Sequence, residues 1–330
     1  MTIAVDTTGG DYAPYEVVRG AIEAAEEYKI DITLVGMKPT LEMLARRHKK
    51  KLHLTIVEAS QTIDSNEHPV QAIRNKPNSS IVIGTKLVRD GAASAFVSAG
   101  NTGAVLYAAF LNLKKIEGVQ RPALCGVIYA TTTNPVLLVD AGANVDCQPN
   151  FLVQFAQLGA IFAERSLGIS SARIGLLNNG EEAIKGNLLT RESYKLLKKT
   201  SLNFIGNIEG HEMLKGKADV IVTDGFTGNI VLKTIEGLGS TFQNLLGVGR
   251  AFELFPRLHG PVLVRYAKLG SLIKRMDYKE YGGACLLGIN GNVVVAHGRS
   301  QAKAIKNAIY LAHRAVNLGV VEAIKDASKQ

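Results

Sequence analysis

The sequence predicts an α/β fold, with a mostly parallel sheet layered between helices. Short apolar runs of strand length alternate with stretches of helical periodicity almost from end to end, the pattern of successive βαβ units. Glycine, Asn, Asp and Ser stand directly after many of the strand-like runs, where turns into helices need them. The chain has 330 residues and is 46% hydrophobic, enough to bury a substantial core.

In chain order, "TIAVD" is a strand followed by a helix over 14–27, and "ITLVG" a strand followed by a helix over 39–47. "SAFVS" leads to a helix over 102–113, and "VLLVD" to one over 149–165. "RIGLL" leads to a helix over roughly 188–199. "DVIVTD" leads to a helix over 228–246, with Ile230, Val231 and Thr234 at helical spacing. A further strand precedes His297, and Ser300 is placed to cap the last helix. The best candidate for a boundary is Gly247 to Gly249, ahead of a different kind of segment.

Cys125, Cys147 and Cys285 are odd in number, widely spaced and in no C-x-x-C pair, so neither a disulfide framework nor a thiolate zinc site is expected. A reducing cytoplasm fits them. No stretch approaches a membrane-spanning helix, and the first residues do not form a signal peptide, so a soluble protein is expected. The net charge of +9 favours an acidic partner: nucleic acid, an anionic membrane face, an acidic protein or a phosphorylated small molecule.

Four strand-end loops share a vocabulary: "AVDTTGGD", "FVSAGNTGA", "LVDAGANVD" and "VTDGFTGN". In an open parallel sheet such ends lie along one edge, so the four loops are expected to converge on one cleft. Efficient turns would use the same residues. Asn101-Thr102-Gly103 and Thr227-Gly228-Asn229 lead into helix N-termini, which suit phosphate or an oxyanion. Neither G-x-G-x-x-G after a strand nor G-x-x-x-x-G-K-[ST] occurs, so a dinucleotide dehydrogenase or P-loop enzyme is not supported.

Lys185, in "NNGEEAIKGN", is either a solvated surface lysine or a point charge for phosphate just past a strand end. No G-x-S-x-G or H-E-x-x-H supplies a nucleophile or metal pair. Cys147 reads as structural, and so does His297, although its position reaches toward the cleft. Residues 249–279 break the rhythm: Val262, Tyr266, Leu269, Ile273 and Met276 fall at helical spacing beside Arg265, Lys268 and Arg275, with Lys274 next to them. Two amphipathic helices joined near "HGP" are expected, carrying a local excess of five positive charges, with Phe252 and Phe255 nearby. A membrane interface, an acidic partner protein, a dimer contact and an ordinary surface hairpin all suit such a segment.

Taken together, "IAVDTTGGDYAP", "SAGNTGA", "DAGANVDCQP", "GLLNNGEEAIKGN", "FIGNIEGHE", "ADVIVTDGFTGNIVLKT" and "HGRSQAKAIKNAI" resemble the phosphate acyltransferase family PlsX, in order along almost the whole chain. Thr7 and Thr8 depart from the family's Ala-Met, Asn179 from its more frequent isoleucine, and His211-Glu212 from its Arg-Asp. The resemblance implies a three-layer α/β/α fold similar to isocitrate dehydrogenase and phosphotransacetylase, formed by residues 1–330 as a single domain with 249–279 as a helical hairpin insertion. It further implies a homodimer, cytoplasmic and held peripherally at the inner face of the cell membrane.

The implied reaction moves a fatty acyl group from acyl carrier protein to inorganic phosphate. The acyl phosphate then feeds a membrane glycerol-3-phosphate acyltransferase in phosphatidic acid synthesis. No metal, redox cofactor or nucleic acid is implied. Lys185 would hold phosphate, and Asn229 would position phosphate or donate to the developing oxyanion. Gly9, Gly10, Asn101, Thr102, Gly103, Thr227 and Gly228 would bound the cleft, and Asp6, Asp11, Asp140, Asn144 and Asp224 would organise its loops. Phe252, Arg265, Lys268, Lys274 and Arg275 would meet membrane or the acidic carrier. The rival readings are a phosphotransacetylase-like or decarboxylating dehydrogenase-like enzyme on the same fold, and a scaffold whose cleft only holds an anion.

Overall fold

The computed structural model describes residues 1–129, 135–249 and 282–329. In chain order it contains β1 (Thr2–Asp6), α1 (Tyr15–Tyr28), β2 (Asp31–Gly36), α2 (Lys38–Ala45), β3 (Leu54–Glu58), α3 (Pro69–Asn75), α4 (Ser80–Arg89), β4 (Ala95–Ser98) and α5 (Thr102–Leu113). There follow β5 (Ala123–Tyr129), β6 (Pro135–Val139), α6 (Pro149–Leu167), β7 (Ile174–Asn178), α7 (Leu188–Leu197), β8 (Phe204–Glu209), a 3-10 turn (Gly210–Lys215), β9 (Val220–Val222) and α8 (Gly225–Gly249). β10 (Ala284–Leu287), β11 (Asn292–Val295), α9 (Ala302–Asn317) and α10 (Val320–Ser328) complete it. The expected hairpin over 249–279, with Phe252, Arg265, Lys268, Lys274 and Arg275, lies outside the described residues beyond Gly249.

The strands form one sheet in the order β3-β2-β1-β4-β11-β10-β5-β6-β9-β7-β8. Every ladder is parallel except β11–β10, β10–β5 and β5–β6. Helices cover both faces. α1, α6 and α9 pack on one through Val17, Ala21, Phe155, Phe162, Ile305 and Ile309, and α4 and α5 on the other through Ile81, Val105 and Ala108. These residues recur at helical spacing and are buried, while the strand residues between them alternate faces.

The three antiparallel ladders correct one expectation. They reverse the direction of β6, β9, β7 and β8 relative to β3, β2, β1, β4 and β11, so the carboxyl ends of the strands do not lie along one edge. The register brings them level instead. Ser98 pairs with Val295, Val295 with Ala284, Ala284 with Gly126, and Gly126 with Leu138. The ends of β4 and β6 therefore stop within one residue of the same level, on either side of β11, β10 and β5. The loops approach the middle of the sheet from opposite directions.

Two helix starts also differ from expectation. α8 begins at Gly225 rather than 228, because Asp224 caps it: its carboxylate accepts from the Thr227 N–H and from Thr227 Oγ1, both at 2.8 Å. At the other end α8 passes through Gly247 and reaches Gly249, the expected boundary. Ser300 does not cap the final helix. α9 starts after Gln301, and Glu16 of α1 supplies the acceptor, 3.0 Å from the Ala302 N–H. α9 is not the last helix either, since α10 follows. A carboxylate arriving from another helix makes the local hydroxyl unnecessary.

Candidate active site

A cavity of about 510 Å³ opens over the middle of the sheet, between α5 and α8. Its floor is Gly126 of β5, Ala284 of β10 and Ala141; its walls are Leu106 of α5 and Leu232 and Ile235 of α8. Thr102 and Gly103 reach it from the first turn of α5, just past the loop after β4, Gly142 and Ala143 from the loop after β6, and Asn229 from the second turn of α8, just past β9. Three of the four related loops thus meet here.

The loop after β6 is built around Asp140, which is fully buried. Its Oδ1 accepts from the N–H groups of Leu124, Gly142 and Ala143 at 3.0, 3.1 and 2.9 Å, and Oδ2 from the Asn144 N–H and Nδ2 at 2.7 and 2.8 Å. Burial pushes its carboxyl up while those donors pull it down, and burial prevails. Asn144 also donates to the Pro122 carbonyl at 2.8 Å, and its own carbonyl accepts from the Gly225 N–H at 2.7 Å. The loops after β6 and β9 are thereby knitted together.

Gly228 rests against the Asp140 carbonyl so closely that a Cβ has no room. Gly142, at φ +140°, turns beneath Asn229, whose Cβ and Cγ would lie 3.5 Å from any side chain placed there. Asn229 is half-buried, sits in the second turn of α8, and faces the cavity with its amide unbonded to any described residue.

The loops after β1 and β4 are tied together by Asp6. Its Oδ1 accepts from the Thr8 N–H, Thr8 Oγ1 and the Gly9 N–H at 3.0, 3.1 and 3.2 Å, and its Oδ2 from Ser98 Oγ at 2.7 Å. Gly9 lies against Gly100, and Gly10 and Asp11 against Gly298, to whose carbonyl the Asp11 N–H donates at 2.8 Å. These residues stand behind the cavity wall rather than in it. Asn101 caps α5, accepting from the Ala104 N–H at 3.0 Å, while its Nδ2 donates to the carbonyls of Asp64, Ser65 and Glu67 at 3.2, 3.2 and 3.0 Å.

Lys185 is exposed in the loop after β7, the strand beside β9, and does not line the cavity. Its N–H donates to the Glu182 carbonyl at 3.0 Å and its carbonyl accepts from Asn178 Nδ2 at 3.2 Å. Asn207 of β8 braces this loop from below, donating to the Glu182 carbonyl at 2.9 Å.

Burial pushes the Cys147 thiol up to about 11, away from the thiolate form, and Sγ donates to the Asn144 carbonyl at 3.5 Å. His297 lines the far end of the cavity, with Nε2 3.3 Å from Glu236 of α8. Gly126, Leu232 and Glu236 were not singled out by the sequence. "PALCGVIYA" has neither alternation nor a turn signal, and the residues of α8 declare their cavity face only once the sheet beneath them is known.

A model of the family described as fatty acid synthesis protein matches residues 1–323. The chain belongs to this family. Phosphate acyltransferase of Dehalococcoides mccartyi is 56% identical over 329 residues, covering 100% of this chain and 95% of its own. The phosphate acyltransferase of Desulforamulus reducens is 46% identical, covering 99% of this chain and 97% of its own. Among solved structures, a phosphotransacetylase from Streptococcus pyogenes superposes with a TM-score of 0.61 at 17% identity, covering 99% of this chain and 94% of that one. EutD phosphotransacetylase from Staphylococcus aureus gives 0.59 at 15% identity, with 98% and 94% covered. At those identities the structures speak for the fold alone, and the family assignment agrees with the resemblance read from the loops.

Proposed function

We propose that this protein transfers a fatty acyl group from the thioester of acyl carrier protein to inorganic phosphate, releasing an acyl phosphate for phosphatidic acid synthesis. The observation that carries the reading is Asn229: an unbonded amide near the start of a helix, at the rim of an apolar cavity. The relatives' name, phosphate acyltransferase, supplies the reaction class. In the proposed step a phosphate oxygen attacks the thioester carbonyl, the C–O bond forms and the C–S bond breaks. The carrier thiolate leaves and takes up the proton that phosphate gives up.

Asn229 donates to the carbonyl oxygen as it becomes an oxyanion, helped by the N-terminal field of α8. Lys185, on the loop of the neighbouring strand, supplies positive charge to the incoming phosphate. Gly228, Thr227 and Asp224 fix the turn that presents Asn229. Asp140 and Asn144 fix the loop beneath it, and Thr102 and Gly103 close the opposite wall. Asp6, Gly9, Gly10, Asp11 and Asn101 support that wall.

Residues 1–330 act as one catalytic unit and pair as a homodimer. The basic stretch over 249–279, including Phe252, Arg265, Lys268, Lys274 and Arg275, meets the acidic carrier or the inner face of the membrane, where a glycerol-3-phosphate acyltransferase takes the product. No helix among the described residues is long and apolar enough to cross a membrane.

The test is release of carrier thiol from palmitoyl-acyl carrier protein with and without phosphate, with hydroxylamine trapping the acyl phosphate. Phosphate-dependent release with matching trapped product is expected. A folded sample that releases no thiol from acyl-acyl carrier protein across several chain lengths overturns the reading, and release from coenzyme A thioesters instead favours the phosphotransacetylase-like one.

A further inference from the structure

Gly126 occupies the interior of β5, a position where a strand normally packs a side chain. Its φ lies outside the positive range that calls for glycine. A Cβ built there would stand 3.5 Å from Ala141 Cβ and 4.0 Å from Leu232 Cδ2, ordinary van der Waals contacts. Neither the backbone nor the surrounding protein therefore requires glycine here.

What its missing side chain leaves is space. The cavity lies directly over it, bounded by Leu124, Ile128, Leu106, Leu232, Ile235 and the small Ala284. Protein interiors are close-packed, and an opening of this size within the range of small-molecule sites, about 300–1,000 Å³, is where a ligand is sought. The path across it has two chemically different ends. Asn229 and Gly142 stand at one, and the Glu236–His297 pair, 3.3 Å apart, at the other. From Asn229 to Glu236 along α8 is about 10 Å, and Leu232, Ile235, Leu106, Gly126 and Ala284 line most of the stretch between, with Lys233 beside them.

We infer that the acyl chain of the substrate lies over Gly126, and that the absence of a side chain there is what lets the first carbons of a long chain leave the reacting carbonyl. This rests on the proposed function, because it takes the reacting carbonyl to be at Asn229. A chain starting there runs over Gly126 and Ala284 towards the polar pair, and a palmitoyl chain, being longer than this path, continues past it. A hydrocarbon chain is the occupant that suits the largely apolar walls of this path.

The full chain with Gly126→Ala and Gly126→Leu is compared with the unaltered protein on acetyl, octanoyl and palmitoyl thioesters of acyl carrier protein, with phosphate. The expected result is a fall in the ratio of palmitoyl to acetyl kcat/KM, about tenfold or more for Gly126→Leu and less for Gly126→Ala. Circular dichroism and thermal melting report folding alongside. Should Gly126→Leu fail to fold, Gly126→Ala decides, its Cβ being accommodated without a clash.

A ratio within twofold of the unaltered protein in the folded variants, whether all lengths slow together or none does, overturns the inference. If the unaltered protein uses no acyl thioester of any length, the proposed function fails first, and this inference falls with it.

Discussion

The loop entering α5 and the loop entering α8 contain nearly the same residues in different employment. Each follows a strand, each presents Asn, Thr and Gly, and each opens a helix at the cavity. In the first, Asn101 is itself the cap and its amide is spent on three carbonyls of residues 64–67. In the second, Asp224 takes over capping, which moves Asn229 one turn into the helix and leaves its amide facing the cavity. The cap's identity decides whether the asparagine's amide is spent on neighbouring carbonyls or left facing the cavity. The motif is shared; the placement of the asparagine is set by which residue satisfies the helix end.

Asn229→Ala tests that contrast most strongly. Losing one oxyanion donor costs about 3 kcal/mol of transition-state stabilisation, or roughly a 100- to 1,000-fold fall in kcat, with thermal stability close to that of the unaltered protein. Single-turnover assays of phosphate-dependent thiol release measure it. A fall smaller than about tenfold would mean that Asn229, like Asn101, is a brace.

How much of this was legible in the sequence follows from the same two loops. The helix over 102–113 could be bounded from the sequence because Asn101 is a local cap before an apolar run. The start of α8 could not. Gly225 and Gly228 look like turn glycines, yet they are required by contact with Asn144 and Asp140 in another loop. β5 and β10 lie inside the sheet, lack alternation and gain their definition from their neighbours, while β3 and β8 are partly exposed edge strands whose sequences carry no strict alternation either. Since β5 and β10 reverse the sheet, missing them concealed how the loops meet, and with it the cavity floor at Gly126. Residues that bond within their own segment were readable, and those whose partners come from elsewhere were not.

Asp140→Asn probes the support beneath Asn229. An amide cannot accept at both oxygens, so either the Asn144 donors or the backbone donors of Leu124, Gly142 and Ala143 are left buried and unpaired. A loss of about 2–3 kcal/mol in urea unfolding is expected, together with slower turnover, because the turn at Gly142 shapes the Asn229 end of the cavity. Unchanged stability would show that the loop holds itself without the carboxylate.

Asn101→Ala is the counterpart to Asn229→Ala. It removes a helix cap and the tether to residues 64–67, at a cost of about 1–2 kcal/mol in stability. Turnover per folded molecule should fall far less than in Asn229→Ala. Loss of catalysis with stability intact would reverse the two roles and place the oxyanion at the α5 end of the cavity.

The smallest expected effect comes from the amino ends of β7 and β9, at the opposite end of those strands from Lys185 and Asn229. Arg173 Nε and Nη2 donate to the Asp219 carboxylate at 3.0 and 2.7 Å, and the Arg173 N–H donates to it at 2.8 Å. Burial pushes the Asp219 carboxyl up, but these donors and the guanidinium charge outweigh it and hold the group below its ordinary value. A carboxyl with a lowered folded pKa stabilises the fold fully above its unfolded value, near pH 4, and loses that contribution as pH falls through the lower folded one. Half-exposure of the Arg173 side chain limits the pair to about 1 kcal/mol. Arg173→Met should therefore lower stability slightly at pH 7 and by less at pH 3, with turnover preserved; a loss of activity approaching that of Asn229→Ala would mean that the strand positions, and not the loops alone, set the geometry of the site.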